Sequence, residues 1–358
     1  CPVAVEVFEG NTGDPKTVAS QVRKLQKRFK LERIVLVGDR GMLTSARIRE
    51  DLKTVDGVDW ITALRAVQIQ ALVTAGALQL SFFDQRDLAE ITHPDYPGER
   101  LIACRNPLLA AERARKRQEL LAATEKDLLQ IRARTQRARK PLRGKDAIGL
   151  AAGKVLGRYK MAKHFELVIE DADFRFERKR AQIDAEAALD GIYVIRTSVL
   201  PEAASAEQTV GYYKSLSRVE RVFRSSKTVD LKVRPIHHYL ADRVRAHILL
   251  CMLAYYVEWH MRRALASILF DDDDPAAGQA QRNSIVAPAI RSPKALHKAQ
   301  SKRTDDGLPV HSFQTLLADL ATIAKNTAVM NQTTMQIITT PTPLQQRALE
   351  LLKVSLRC

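Results

Sequence analysis

Residues 33–42 read RIVLVGDRGM. The apolar run at 33–37 has the pattern of a short strand buried on both faces of an α/β sheet. It stops at Gly38-Asp39-Arg40-Gly41. A carboxylate at the C-terminal end of such a strand lies where open α/β sheets place their ligands. Asp39 is therefore a candidate site residue, although an aspartate there also serves as a helix cap. Arg40 beside it reads either as a phosphate contact or as a structural ion-pair partner.

The flanking sequence extends this α/β reading over residues 1–95. Val3, Val5 and Val7 alternate with Ala4 and Glu6, the period of a strand. Gly10, Asn11 and Gly13 interrupt it, and Asp14-Pro15 predicts a helix to about Phe29, with Asp14 as its cap. Thr44 is a candidate cap for the next helix, and a strand is expected near 59–64. The chain opens at Cys1 inside the alternating stretch, which reads as the continuation of an upstream piece.

Residues 96–188 differ in composition. Between 111 and 145 there are 12 Lys/Arg and 4 Asp/Glu, so this stretch carries +8 (12 − 4) of the chain's +16. It predicts a long, basic, amphipathic helix ending near Pro141 and Gly144, with a thin stripe of Leu120, Leu121, Leu128, Leu129 and Ile131. Such a helix is either a solvated face with i,i+4 ion pairs or a surface for a DNA backbone. A strand is expected at 165–169. Core-like sequence returns at 189–269, with a strand at 192–197, a helix at 207–227 and a long apolar helix at 239–269 expected to pack on a sheet. Residues 271–310 open with four aspartates and contain Pro275, Pro288, Pro293 and Pro309, the composition of a linker. Residues 311–358 read as a helical tail.

Charge and cysteine usage narrow the function classes. With 57 Lys/Arg against 41 Asp/Glu the chain favours a polyanionic partner. No run approaches 18 apolar residues, so no membrane span is expected. The four cysteines form no C-x-x-C pair, which argues against a zinc or disulfide framework and fits a reducing cytoplasm. No phosphate-binding glycine loop is present.

The helix at 213–227, YKSLSRVERVFRSSK, carries the most information. At 100° per residue, Tyr213 and Lys227 each fall about 20° from Glu220, so the three form one stripe. Leu216, Val219, Val222 and Phe223 lie on one flank, expected to dock on a core. Lys214, Arg218, Arg221 and Arg224 lie on the other. A cationic face beside a carboxylate suits phosphodiester chemistry, in which the cations hold phosphates and the carboxylate holds a metal ion. The plainer alternative is a surface ion pair of Glu220 with Arg224 or Lys227.

VLVGDRGM with Asp39 resembles the second acidic motif of bacterial insertion-sequence DDE transposases. The helix at 213–227 resembles their third motif, Y-x2-R-x3-E-x6-K, with Tyr213, Glu220 and Lys227 in place and Leu216 where the pattern has Arg. GNTGD and RPIHH, with Arg234, His237 and His238, extend the likeness over most of residues 1–265. The resemblance implies an RNase H-like core of α/β class, split by a large, partly helical basic insertion domain and followed by a helical C-terminal region. The expected division is 1–95 and 189–269 for the core, 96–188 for the insertion, 270–310 for the linker and 311–358 for the tail. The 181-residue interval between Asp39 and Glu220 (220 − 39) accommodates that insertion.

The resemblance further implies three carboxylates holding Mg²⁺ or Mn²⁺, with Asp39 and Glu220 as catalytic metal ligands. Arg40, Tyr213, Lys214, Arg221, Arg224, Lys227, Arg234 and His237 are the expected DNA contacts. The expected partner is double-stranded transposon-end DNA, with self-association during synapsis, in the bacterial cytoplasm at the nucleoid. The first Asp belongs on a strand before Val3, and Asp14 reads as a cap rather than a substitute. The expectation is a truncated transposase, weak or inactive in cleavage. The alternatives are a non-catalytic DNA-binding fragment that modulates full-length transposase, and a helical scaffold.

Overall fold

The computed structural model describes residues 3–229, 231, 233–282, 284–330 and 333–356. They form two compact units. One is built from residues 13–216 with 284–287, the other from the first twelve residues, 217–283 and 288–358.

The first unit starts with α1 (Asp14–Phe29). Gly13 occupies the cap position and Asp14 lies inside the first turn, one place later than its expected role. β1 (Ile34–Val37) follows, then α2 (Ser45–Arg47), which runs into a π-helical turn at Ile48–Leu52. β2 (Val58–Ala63), α3 (Ala66–Thr74), β3 (Leu88–Ile91) and β4 (Arg100–Arg105) come next.

The chain then leaves the sheet. α4 (Pro107–Thr135) and α5 (Lys145–Tyr159) lead into the antiparallel pair β5 (Phe165–Ile169) and β6 (Phe174–Arg178), followed by α6 (Arg180–Ala187). β7 (Ile192–Thr197) returns to the sheet, and α7 (Ala206–Lys214) ends this part. The sheet order is β1-β2-β7-β4-β3. β1 and β2 are parallel, and the other pairings are antiparallel.

The excursion between β4 and β7 has its own core. On α4 the buried positions are Arg117, Leu121, Thr124, Leu128, Ile131 and Thr135, spaced 4-3-4-3-4 along one helix face. Leu121, Leu128 and Ile131 among them join Ile148, Ala152, Phe165, Phe174 and Ile183 in one cluster. The expected stripe is thus half right, because Leu120 and Leu129 face solvent. The buried Arg117 guanidinium grips Asp190 with two hydrogen bonds, of 2.9 and 2.5 Å, and so fixes α4 to the segment before β7. The excursion begins at Pro107, not near residue 96, because 100–105 is an interior strand of the sheet.

The alternating stretch at 3–7 forms no strand. Among the described residues no neighbouring strand takes up its backbone bonds, which a strand requires. It lies exposed or half-buried instead.

In the second unit α8 (Leu216–Arg224) continues into a π-helical turn at Ser225–Val229. α9 (Ala241–Leu265), α10 (Pro275–Ala280), α11 (Pro293–Ser301) and α12 (Phe313–Leu320) follow. The antiparallel hairpin of β8 (Lys325–Met330) and β9 (Thr333–Ile338) and then α13 (Pro343–Leu352) complete it. Its core joins Leu265, Ile268 and Leu269 to Phe313, Leu316, Leu344 and Ala348. Two expectations change here. The tail contains a hairpin, and α9 is largely exposed where a buried helix was expected. Only Glu258 and Leu265 of α9 are buried, while Leu249, Leu250, Leu253, Tyr256 and Val257 are exposed.

The expected linker is folded. Asp272 accepts hydrogen bonds from the Ser292 amide and hydroxyl, and Ser292 caps α11. Lys298, 1% exposed, donates to the carbonyls of Ala266 and Asp271 and to Asp273 Oδ1 at 2.9, 2.9 and 3.0 Å. An ammonium has three donors, and all three are used. Four successive aspartates without a calcium-loop spacing therefore serve as lysine and helix-cap acceptors. Lys298→Ala removes the donor shared by these three acceptors, leaving Asp273 with Lys294 alone, and should cost about 3 kcal/mol of stability, read as a lowered unfolding midpoint of the full chain.

Candidate active site

At the end of β1 the backbone turns sharply. Asp39 Oδ1 accepts the amides of Gly41 (2.9 Å) and Met42 (2.7 Å), and the Asp39 carbonyl accepts the amide of Leu43. Two glycines permit this. A Cβ at Gly38 would stand 2.8 Å from Cγ of the buried Leu43, and one at Gly41 would stand 3.3 Å from Asp39 Oδ1. Thr44 then caps α2 by accepting the Arg47 amide. Asp39 is exposed, and its second oxygen carries no hydrogen bond among the described residues. Asp39 is not the helix cap, which is Thr44. One of its oxygens holds the turn, and the other is chemically of the kind that serves as a hard ligand.

The helix expected to be continuous over 207–227 is not. α7 stops at Lys214, Ser215 forms a turn, and α8 starts at Leu216. The stripe of Tyr213, Glu220 and Lys227 assumed 100° per residue throughout. Only Leu216–Arg224 keeps that period, because Lys227 lies on the wider π-helical turn. Glu220, Arg221, Arg224 and Lys227 are exposed. Glu220 forms no ion pair with Arg224 or Lys227 among the described residues, and Lys227 Nζ lies 5.2 Å from the Phe223 ring centre instead. The flank expected to dock on a core does not do so, for Val219 and Phe223 are exposed and α8 buries no residue. Arg234 and His237 are also exposed, in a non-helical stretch ahead of α9.

Two expected DNA contacts have structural employment. Tyr213 is half-buried against the cluster of Ile61, Ile102, Ile195, Val210 and Val286. Lys214 donates to the carbonyls of Ile285 (2.6 Å), Val286 (2.8 Å) and Ala287 (3.1 Å). That saturates its ammonium and stitches 284–287 into the first unit. Lys214 is accordingly removed from the phosphate-binding set.

Beside the Asp39 turn lies a pocket of about 440 Å³ that sequence reasoning missed. It is lined by Arg40, Thr44, Ser45, Thr62, Arg65, Gln68 and Arg196, with apolar residues between them. Thr62 on β2 and Arg196 on β7 are directly paired across the sheet. The only local signal is a polar residue inside each apolar strand run, Thr62 in WITAL and Arg196 in IYVIRT, and it does not reveal that the two are neighbours.

Arg196 is held by a buried network. It forms a two-pronged ion pair with Glu99, donates to Ser45 Oγ at 2.8 Å and stacks 4.9 Å from the Tyr96 ring centre. Lys53 reaches Glu99 at 3.1 Å, and Trp60 Nε1 donates to it. Burial pushes the Glu99 carboxyl up, but Arg196 and Lys53 more than offset this and hold it below its ordinary value.

Asp39 belongs to the first unit and Glu220 to the second. Among the described residues no three His, Cys, Asp or Glu side chains group as a metal site. Asp39 and Glu220 are suitable oxygen donors for Mg²⁺ in kind, but they are two where three carboxylates were expected.

Comparison with known proteins adds the family. The sequence profile of the transposase DDE domain matches residues 1–257, so the chain belongs to the DDE transposase family. These are enzymes of polynucleotidyl-transferase type that generally use divalent metal ions. No curated protein and no solved structure matches the chain. Among the described residues no helix is long and apolar enough to cross a membrane.

The Glu99 network makes a pH prediction. A carboxyl whose pKa is lowered by folding contributes stability above its unfolded value, near 4.5, and that contribution is lost as pH falls through the folded value. Unfolding midpoints should therefore drop below about pH 4.5. Glu99→Gln should flatten that drop while costing about 3 kcal/mol at neutral pH, as read by thermal melts across pH.

Proposed function

We propose that this chain is the catalytic part of an insertion-sequence DDE transposase that binds transposon-end DNA and hydrolyses and transfers its strands. The observation that carries this reading is the free second oxygen of Asp39 at the end of a parallel strand, in a chain whose family uses such acids. Glu220, exposed on the basic helix α8, is the second acid. Together they would hold Mg²⁺ or Mn²⁺, which supplies an activated nucleophile and stabilises the leaving oxygen.

In this reading the sheet is an RNase H-like core and residues 107–187 are an insertion within it. Arg40, Arg221, Arg224, Lys227, Arg234 and His237 would contact DNA phosphates, and Tyr213 would position the cleaved end. Arg40 and Arg221 support this, since neither forms a salt bridge among the described residues and both are exposed. Self-association during synapsis and a place at the nucleoid follow from the same activity. A second reading is a DNA-binding module without chemistry that modulates full-length transposase. It is favoured by the absence of a three-acid group among the described residues.

The test uses a supercoiled plasmid carrying the element's terminal inverted repeats. Weak nicking that requires Mg²⁺ or Mn²⁺ is expected from the 358-residue chain. Asp39→Asn and Glu220→Gln should each lower it to background and leave DNA affinity within about threefold. Affinity should fall steeply with salt, as for any protein that displaces counterions from phosphates. Nicking that survives both substitutions overturns the site. Salt-sensitive binding with no nicking under any divalent ion selects the second reading.

A further inference from the structure

We infer that the pocket beside the Asp39 turn is a subsite for one backbone phosphate of a DNA strand, read without regard to its base. This deepens the transposase reading and rests on it for the source of the phosphate. Three observations on the first unit carry the assignment.

The first is charge. Arg40, Arg65 and Arg196 line the pocket and no carboxylate does. Glu99 neutralises Arg196, whereas Arg40 and Arg65 are exposed and form no salt bridge among the described residues. The pocket therefore presents two uncompensated guanidiniums, the donor geometry best suited to phosphate oxygens.

The second is an unused donor. Thr62 is 1% exposed, and its Oγ1 has no hydrogen-bond partner among the described residues. A buried hydroxyl without a partner costs on the order of 1–3 kcal/mol. Its cross-strand neighbour Arg196 is locked by Glu99 and Ser45, so Thr62 shares its edge of the pocket with a guanidinium that cannot swing toward it. An acceptor oxygen delivered from outside completes the set.

The third is composition. The volume of about 440 Å³ falls within the roughly 300–1,000 Å³ of small-ligand sites. The lining has no Phe, Tyr, Trp or His, so nothing there stacks on a base. Donors without a stacking platform recognise phosphate and sugar, which position a strand and carry no sequence information. Because Arg40 follows Asp39 directly, a phosphate held here sets the register of the strand relative to the candidate catalytic carboxylate.

The experiment is arginine footprinting of the full chain with phenylglyoxal in EDTA, read by mass spectrometry. It needs no metal and no cleavage, so a failed nicking assay leaves it interpretable. The probes are an eight-residue oligothymidylate, an abasic octamer of the same backbone and inorganic phosphate. Arg40 and Arg65 should be protected to the same degree by both octamers, and weakly by phosphate. Thr62→Val, which removes the hydroxyl and keeps the shape, should weaken oligothymidylate binding about 5- to 10-fold without lowering the unfolding midpoint. Arg65→Ala should weaken it at least 10-fold, in the range of a lost charge-assisted hydrogen bond. Protection by phosphate but not by the octamers, protection that requires bases, or unchanged affinity in both variants overturns the assignment. Should a variant fail to fold, the footprint on the wild-type chain decides alone.

Discussion

The hydrogen bonds from the Gly41 and Met42 amides to Asp39 Oδ1 fix the geometry on which the site depends. They turn the chain within four residues of β1, seat Leu43 against Gly38 and start α2 from Thr44. By occupying one oxygen they orient the other. They also place Arg40, Thr44 and Ser45 in the lining of the pocket that Thr62 and Arg196 share. A loop tightened by its own carboxylate is a local solution, written in seven consecutive residues, VGDRGML. The surrounding sheet has only to hold β1 and β2 parallel.

Buried cations tie the rest together by a repeated device. Lys214 binds three carbonyls of 285–287, Lys298 binds two carbonyls and a carboxylate, Arg117 grips Asp190, and Arg196 grips Glu99. Each joins segments far apart in sequence. Part of the chain's large basic excess is therefore structural and unavailable to a polyanion. Other cations, among them those at 132–140 and Arg218 and Arg221 on α8, are exposed and form no ion pair among the described residues. A count of Lys and Arg cannot separate these two populations, because the separation depends on which carbonyls the fold brings near.

What the sequence disclosed follows the same division. Local signals were readable: β1, β2 and β7 lie where apolar periodicity put them, and Thr44 caps its helix. Features that depend on distant partners were not. Residues 3–7 alternate like a strand and find no strand to pair with among the described residues, whereas 100–105, read with the basic segment, lie inside the sheet. The helix motif was legible as spacing, yet the turn at Ser215 and the π-helical turn after Arg224 break the straight stripe that spacing implied. Lys214 looked like a free surface cation because its three acceptors lie more than 70 residues away. Thr62 and Arg196 were hidden for the same reason, being neighbours only across β2 and β7.

The family membership supplies the chemistry, and Asp39 and Glu220 are the residues proposed to perform it on a shared divalent ion. Iron tests that sharing directly, because Fe²⁺ replacing Mg²⁺, supplied with hydrogen peroxide and ascorbate, reduces the peroxide to hydroxyl radicals that cut the polypeptide beside the bound ion. In the full chain with transposon-end DNA, cuts are expected in both 36–43 and 217–224, and both should vanish in Asp39→Asn. Cuts in one segment alone, or cuts that persist in that variant, would mean that the two carboxylates do not hold a common cation.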